Sequence, residues 1–173
     1  VAGQYSSWND WCDSGSAVTV AANTVDSGAS ERWHAAVTTI IASVSDAGTY
    51  IATYRHQWKP SVTLSNTDAS HTVSITARTL DGSSATASGL YTSWSDWCDD
   101  STTLTFSQET TGGSSTYRRR AHTGYSWSVT SASTPTITYA DDWKPTVTLT
   151  GTTGTHTTTV YYAVDGSSGN VAG

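Results

Sequence analysis

Apolar and polar residues alternate in short runs along this chain, and the runs are separated by Gly, Ser, Asn and Asp. Val18-Thr19-Val20, Val62-Thr63-Leu64, Leu104-Thr105-Phe106 and Val147-Thr148-Leu149 each place apolar side chains on one face of an extended segment. Val73, Ile75 and Ala77 share a face, as do Thr158, Val160 and Tyr162. The stretch from Trp33 to Val44 is alanine-containing, but its Val-Thr-Thr-Ile-Ile centre is β-branched and predicts a strand. Its counterpart from Tyr125 to Val129 alternates cleanly. Tyr50–Tyr54 and Thr136–Tyr139 are further predicted strands, each leading to Trp-Lys-Pro, where a proline without an amide hydrogen marks a strand end or edge. Asn23–Gly28 reads as turn, and Asp81-Gly82-Ser83-Ser84 turns the chain after the last strand. No long helical period is present.

The pattern is duplicated. Ser7-Trp8-Asn9-Asp10-Trp11-Cys12-Asp13 returns as Ser93-Trp94-Ser95-Asp96-Trp97-Cys98-Asp99, an offset of 86 positions (94 less 8), with Tyr5 and Tyr91 ahead of them at the same spacing. Trp58-Lys59-Pro60 returns as Trp143-Lys144-Pro145 after 85 positions, and His71-Thr72 as His156-Thr157. Asp81-Gly82-Ser83-Ser84 returns as Asp165-Gly166-Ser167-Ser168 after 84, and Val1-Ala2-Gly3 resembles Val171-Ala172-Gly173. The repeats divide the chain into units 1–87 and 88–173, each with six or seven short strands. Turn-punctuated strands of this spacing predict an all-β fold of two tandem homologous antiparallel β-sandwiches.

The segments His71–Ser84 and His156–Asn170 resemble the closing strand of bacterial immunoglobulin-like modules, which end in a Thr/Val-rich strand and an Asp-Gly-Ser-Gly-Asn-like tail. The resemblance implies a secreted or surface-displayed β-sandwich used for spacing, adhesion or virion decoration, without catalytic residues. The Trp-x-x-Trp-Cys boxes have no counterpart in those modules. They look like the Trp-Ser-x-Trp pattern of cytokine receptors and thrombospondin-type repeats, where tryptophans stack with arginines. Arg118-Arg119-Arg120 can supply such partners in the second unit, whereas the first offers only Arg32 and Arg55.

Composition narrows the partners. The 173 residues carry a formal net charge of −6 with only 13% charged residues. No basic surface exists to release counterions, which disfavours nucleic acid. The short Arg118–Arg120 run reads as a strand edge or loop offsetting an acidic surface. No apolar run reaches the length of a membrane span. No secretory signal is visible, and a start at Val1 without Met is compatible with removal of a signal or of the Met alone.

Cys12 and Cys98 are the two cysteines, one per unit at equivalent positions, so neither unit can hold a disulfide of its own. A Cys12–Cys98 bond would join the units near a pseudo-two-fold axis and stabilise by roughly 4–5 kcal/mol on the chain-entropy model. Two buried thiols, or bonds to neighbouring chains, are the other arrangements. The internal disulfide is the expectation. Zinc binding is excluded by the absence of Cys-x-x-Cys and of a nearby His pair.

Candidate chemistry centres on the boxes. Trp and Tyr rings stack on sugar faces, and flanking carboxylates hydrogen-bond hydroxyls. Trp8, Asp10, Trp11 and Asp13, with Trp94, Asp96, Trp97 and Asp99, would form two equivalent ligand sites with avidity. The other reading has the tryptophans capping a small core, with the Asp side chains closing turns; protein–protein contact is a third. The carboxylates Asp10 and Asp13, Asp96, Asp99 and Asp100, and Asp141 and Asp142 cluster at turns, but without a calcium-loop pattern, and Ser14 and Gln57 replace the second carboxylates in unit one. His71 and His156 are equivalent and read as hydrogen-bonded surface residues; His34, His56 and His122 have no matched partner. No Gly-x-Ser-x-Gly elbow, phosphate-cradling loop or dinucleotide fingerprint appears. The expectation is a non-enzymatic protein without cofactor or metal, located extracellularly, on a cell surface or on a virion. It recognises carbohydrate or a cell-surface ligand through its boxes. The rival is a structural subunit whose partners are copies of itself in a virion surface, filament or layer.

Overall fold

A computed structural model describes residues 7–151, 154, 157–164 and 167–172. Tyr5, the terminal Val1-Ala2-Gly3 and Gly173, His156, and Asp165-Gly166 lie outside the described residues. The fold is all-β, and no helix occurs among the described residues.

An N-terminal segment carries β1 (Val18–Thr19), β2 (Glu31–His34), β3 (Thr39–Ile41) and β4 (Arg55–Trp58). β1 pairs with β3, and β2 with β4. The predicted Trp33–Val44 strand is thus two strands, interrupted where Ala35 turns into the interior. The predicted Tyr50–Tyr54 strand lies in no sheet.

The chain then enters a central body of β5 (Ser61–Ser65), β6 (Val73–Ala77), β7 (Thr79–Leu80), β8 (Ser83–Ser84), β9 (Ala87–Leu90), β10 (Ser93–Ser95), β11 (Cys98–Asp99), β12 (Thr102–Phe106), β13 (Tyr117–Ala121), β14 (Ser126–Val129) and β15 (Thr136–Trp143). One four-stranded sheet runs β10-β5-β15-β13 and another β14-β12-β6-β9. Alternation decides what they bury. Val62 and Leu64 from β5, and Ile137 and Tyr139 from β15, meet Val73 and Ile75 from β6, and Leu104 and Phe106 from β12, in one core. The β5–β15 pair is parallel, a departure from the purely antiparallel expectation. Parallel neighbours need a crossover, and here the chain passes through the opposite sheet between them. Pro60, fully buried, stands where the chain leaves β4 and enters β5, consistent with a strand end at Trp-Lys-Pro. Asp81 and Gly82 both take positive φ (53° and 76°), the conformation a tight two-residue hairpin requires, and they join β7 to β8.

The last segment forms one hairpin, β16 (Thr159–Val164) with β17 (Ser167–Ala172). The Val147–Leu149 run, predicted as a strand, lies in no sheet.

The phase of the fold differs from the phase of the sequence repeat. The 87/88 boundary falls inside β9, which pairs with β6. The central core draws Val62, Leu64, Val73 and Ile75 from the first unit and its other members from the second. The N-terminal segment repeats local structure of the central body without the same closure. Ala35 N–H donates to Ala22 O as Ala121 N–H does to Gln108 O, both at 2.8 Å. Thr24 N–H donates to Trp33 O as Thr110 N–H does to Arg119 O, at 3.2 and 3.0 Å.

Candidate functional site

The second box is built into the body. β10 runs antiparallel to β5 with Trp94 opposite Val62, so the indole points into the core. Trp94 meets Phe106 edge to face at 5.9 Å between ring centres, and Phe106 stacks on Trp127 at 6.1 Å. The Arg78 guanidinium lies 5.4 Å from the Trp94 ring centre and donates to Asp96 Oδ2 at 2.7 Å. Asp96 Oδ1 accepts from Trp97 N–H at 2.8 Å and closes the turn. Trp97, half-buried, is covered by the Arg32 guanidinium at 4.2 Å, with Lys59 Nζ at 5.8 Å. These arginines come from β2 and the end of β6, not from Arg118–Arg120 as the sequence suggested.

Asp99 is buried and accepts three hydrogen bonds: from Gln57 Nε2 at 2.8 Å, Asp81 N–H at 3.0 Å and Gly82 N–H at 2.6 Å. Gln57, fully buried, also donates to Asp81 Oδ1 at 2.7 Å and accepts from Arg32 Nε at 2.8 Å. The network ties β4, β11 and the β7–β8 turn together with every partner satisfied, as buried polar groups require. Arg78 escaped sequence reasoning, and Gln57 was noted there only as replacing a carboxylate. The signal was their non-equivalence: the positions matching them are Ala163 and Asp142.

The first box has the same local conformation and a different environment. Asp10 Oδ1 accepts from Trp11 N–H at 2.8 Å, and Ser16 Oγ donates to Asp13 O at 2.6 Å as Thr102 Oγ1 does to Asp99 O. Yet Trp8 is 42% exposed and Trp11 98%, against 8% for Trp94. The expected Cys12–Cys98 disulfide is not formed. Both thiols are free, with Cys12 on the surface and Cys98 sealed in the core. Burial, helped by Asp96 and Asp99 and opposed by Arg78, pushes the Cys98 thiol up to about 12, so it is a poor nucleophile.

Arg118 and Arg119 lie on β13, the edge of its sheet, and pair across to β15. Arg118 Nε donates to Asp142 at 3.1 Å and its Nη1 to Glu109 at 2.9 Å. Arg119 Nε donates to Asp141 at 2.7 Å and its Nη1 to Asp68 at 2.9 Å. Hydrogen bonds from His71, Ser70 N–H and Arg119 hold Asp68 well below the usual carboxylate range; Arg119 and then Tyr117 do the same for Asp141. His71 Nδ1 lies 2.9 Å from Asp68 Oδ1 and its ring meets Tyr117 edge to face. His56 is stacked on Trp33 at 4.7 Å, with Nε2 2.9 Å from Glu31. The arginine contacts are ion pairs within the chain, and each of the two histidines sits against a carboxylate. Among the described residues no group of three or more His, Cys, Asp or Glu side chains gathers to hold a metal.

Two open grooves adjoin this region. One, of about 490 Å³, is floored by Tyr54, His56, Gly82 and Asp99. The other, of about 360 Å³, is lined by Val37, Ile40, Ile51 and Thr53 of the N-terminal segment. No family model, no curated protein and no solved structure matches the chain.

Proposed function

We propose that the chain is a non-enzymatic, extracellular protein built around an immunoglobulin-like sandwich that serves as a structural subunit of a filament, surface layer or virion coat. One observation carries this reading: the central sandwich takes its strands from both sequence repeats, so successive repeats are welded into a continuous body rather than strung as separate beads. The complete box supports it too, because Trp94, Asp96 and Asp99 spend their contacts on core, ion pair and turn. Light scattering after size exclusion, without reductant, tests the reading. Mass that grows with concentration, with rods in electron micrographs, is expected. A particle that stays at the chain mass at every concentration overturns it.

A second reading, recognition of carbohydrate or a cell surface, is favoured by the exposure of Trp8 and Trp11 beside Asp10 and Asp13. It predicts a single glycan site per chain, since the second box is occupied internally. Binding on a glycan array that is lost in Trp11→Ala supports it; an array without signal removes it.

A further inference from the structure

We infer that the N-terminal half-sandwich (residues 7–54) of one copy is completed, head to tail, by the Thr146–Thr150 stretch and β16 of a second copy; the inference rests on the structural-subunit reading and names its joint.

The argument is one of complementary halves. In the central body, Val62, Leu64, Val73 and Ile75 form one part of the core and are at most 5% exposed. Their equivalents are Val147, Leu149, Thr158 and Val160, and the first two are 59% and 49% exposed. The other part of the central core includes Trp94, Cys98, Leu104 and Tyr139. Its equivalents Trp8, Cys12, Val18 and Tyr54 are exposed or half-buried in the N-terminal segment. One flank therefore lacks what the other carries.

The backbone shows the same vacancy. In the central body β5 is inserted between β10 and the Thr136–Thr138 end of β15. In the N-terminal segment the matching positions Trp8–Asn9 and Ile51–Thr53 lie in no sheet, and Ile51 and Thr53 line the 360 Å³ groove. Thr146–Thr150, the match for β5, is likewise in no sheet. An added strand satisfies both open edges with main-chain hydrogen bonds and pockets its alternate side chains.

The joint between modules is visible once already. Trp58 pairs with Cys98, and Arg32 covers Trp97. Trp143 and Arg118 hold the same places at the far end of the central body, with Trp143 70% exposed. In the complex they would meet Cys12 and Trp11 of the next copy. Such an interface joins different surfaces and propagates rather than closing on itself. Among its departures from the internal joint, Ser14 replaces Asp100, the acceptor of the Trp58 indole, and Asp142 replaces Gln57 opposite Asp13, so two carboxylates face each other where an amide faces Asp99.

The two cysteines provide the test on the full chain. Cys98 is the buried internal reference, and Cys12 is the reporter. Maleimide labelling of native protein over a concentration series, read by peptide mass, is expected to show Cys12 slowed by about tenfold or more as mass grows. Val147→Asp with Leu149→Asp, at exposed positions, is expected to restore fast labelling and leave melting of the central body unchanged. Asp142→Gln is expected to move protection to lower concentration. Protection that does not depend on concentration means that the chain's own C-terminal segment fills the site and overturns the second-copy inference. Fast labelling at all concentrations while mass still grows places the joint elsewhere: it overturns the inference and leaves the structural-subunit reading standing. Fast labelling of a particle that never grows removes both.

Discussion

Trp8 and Trp94 occupy the same place in the repeat, so replacing each with Ala separates what the motif dictates from what its surroundings dictate. Trp94 is 8% exposed, packs edge to face on Phe106 and lies under Arg78. Truncating a buried Trp costs about 3–5 kcal/mol through lost transfer energy and the cavity left behind. Uncovering Arg78 adds about 0.5–2 kcal/mol of lost cation–π attraction. The expected total is about 3.5–7 kcal/mol, with its middle near 5, a large part of the ~5–15 kcal/mol that holds a domain together. Trp8 is 42% exposed, and its truncation should cost about 1 kcal/mol or less, since only the covered part of the ring loses apolar burial. Urea unfolding followed by far-ultraviolet circular dichroism reads the difference. With a slope of about 1.5 kcal/mol/M, Trp94→Ala lowers the midpoint by about 3 M and Trp8→Ala by about 0.5 M. Trp94→Phe, a milder lesion, keeps the comparison measurable if the Ala variant does not fold. Equal shifts at the two positions in dilute protein would refute the assignment of core to one box and surface to the other.

Three further outcomes follow from the same contacts. Asp99→Ala strands the Asp81 and Gly82 amides and the Gln57 side chain, and should cost about 2–4 kcal/mol, whereas Asp13→Ala should cost under about 0.5 kcal/mol; thermal melts compare them. Burial raises the Cys98 thiol from about 9 and the Tyr139 phenol from about 10, each to about 12. The folded state thus favours the neutral forms, so stability is full below pH ~9 and is lost as pH rises toward ~12. Tyr139→Phe gives up the hydrogen bond to Ser107 O, about 1 kcal/mol near neutrality, but should flatten that alkaline loss in a pH series of urea melts. Because Cys12 and Cys98 are free, reductant should leave the melting temperature of dilute protein within about 1 °C; a fall of several degrees would show a disulfide after all.

Much of the architecture was legible because period-two alternation is a local signal. Val62-Thr63-Leu64 and Leu104-Thr105-Phe106 read as strands and are strands. Asp81-Gly82 read as a turn and adopts the left-handed pair that a hairpin needs. The phase of the fold was not legible. Self-similarity at 85 or so positions fixes the period of a repeat but not the point where a folded unit starts, since every cut of a periodic sequence is equally periodic. Only tertiary packing breaks that tie, and it does so at Pro60, where the chain changes sheets. The mistaken disulfide has the same origin. Equivalent cysteines meet near a symmetry axis only if both units are complete, and the complete unit here straddles them. The roles of Arg78 and Gln57 were missed for the opposite reason: they exist only between segments far apart in sequence, where no local period points.

The distribution of exposed apolar side chains turns on this phase. Among the described residues, thirteen of the fifteen large apolar side chains that stand exposed belong to the flanks 7–54 and 144–172; Tyr91 and Trp143 are the others. Scattered exposure needs no explanation, but exposure confined to two segments that match the two parts of a buried core does. Trp143 makes the case most directly. Its equivalent, Trp58, packs on the core, donates to Asp100 at 2.7 Å and pairs through its backbone with Cys98. Trp143 has the same preceding strand, paired in the same register to β13 as β4 is to β2, and differs in standing exposed, with no box strand paired to it among the described residues. Burial in this chain is therefore a property of the joint rather than of the residue. The same indole is covered where a box strand pairs beside it, at Trp58, and exposed where none is paired, at Trp143.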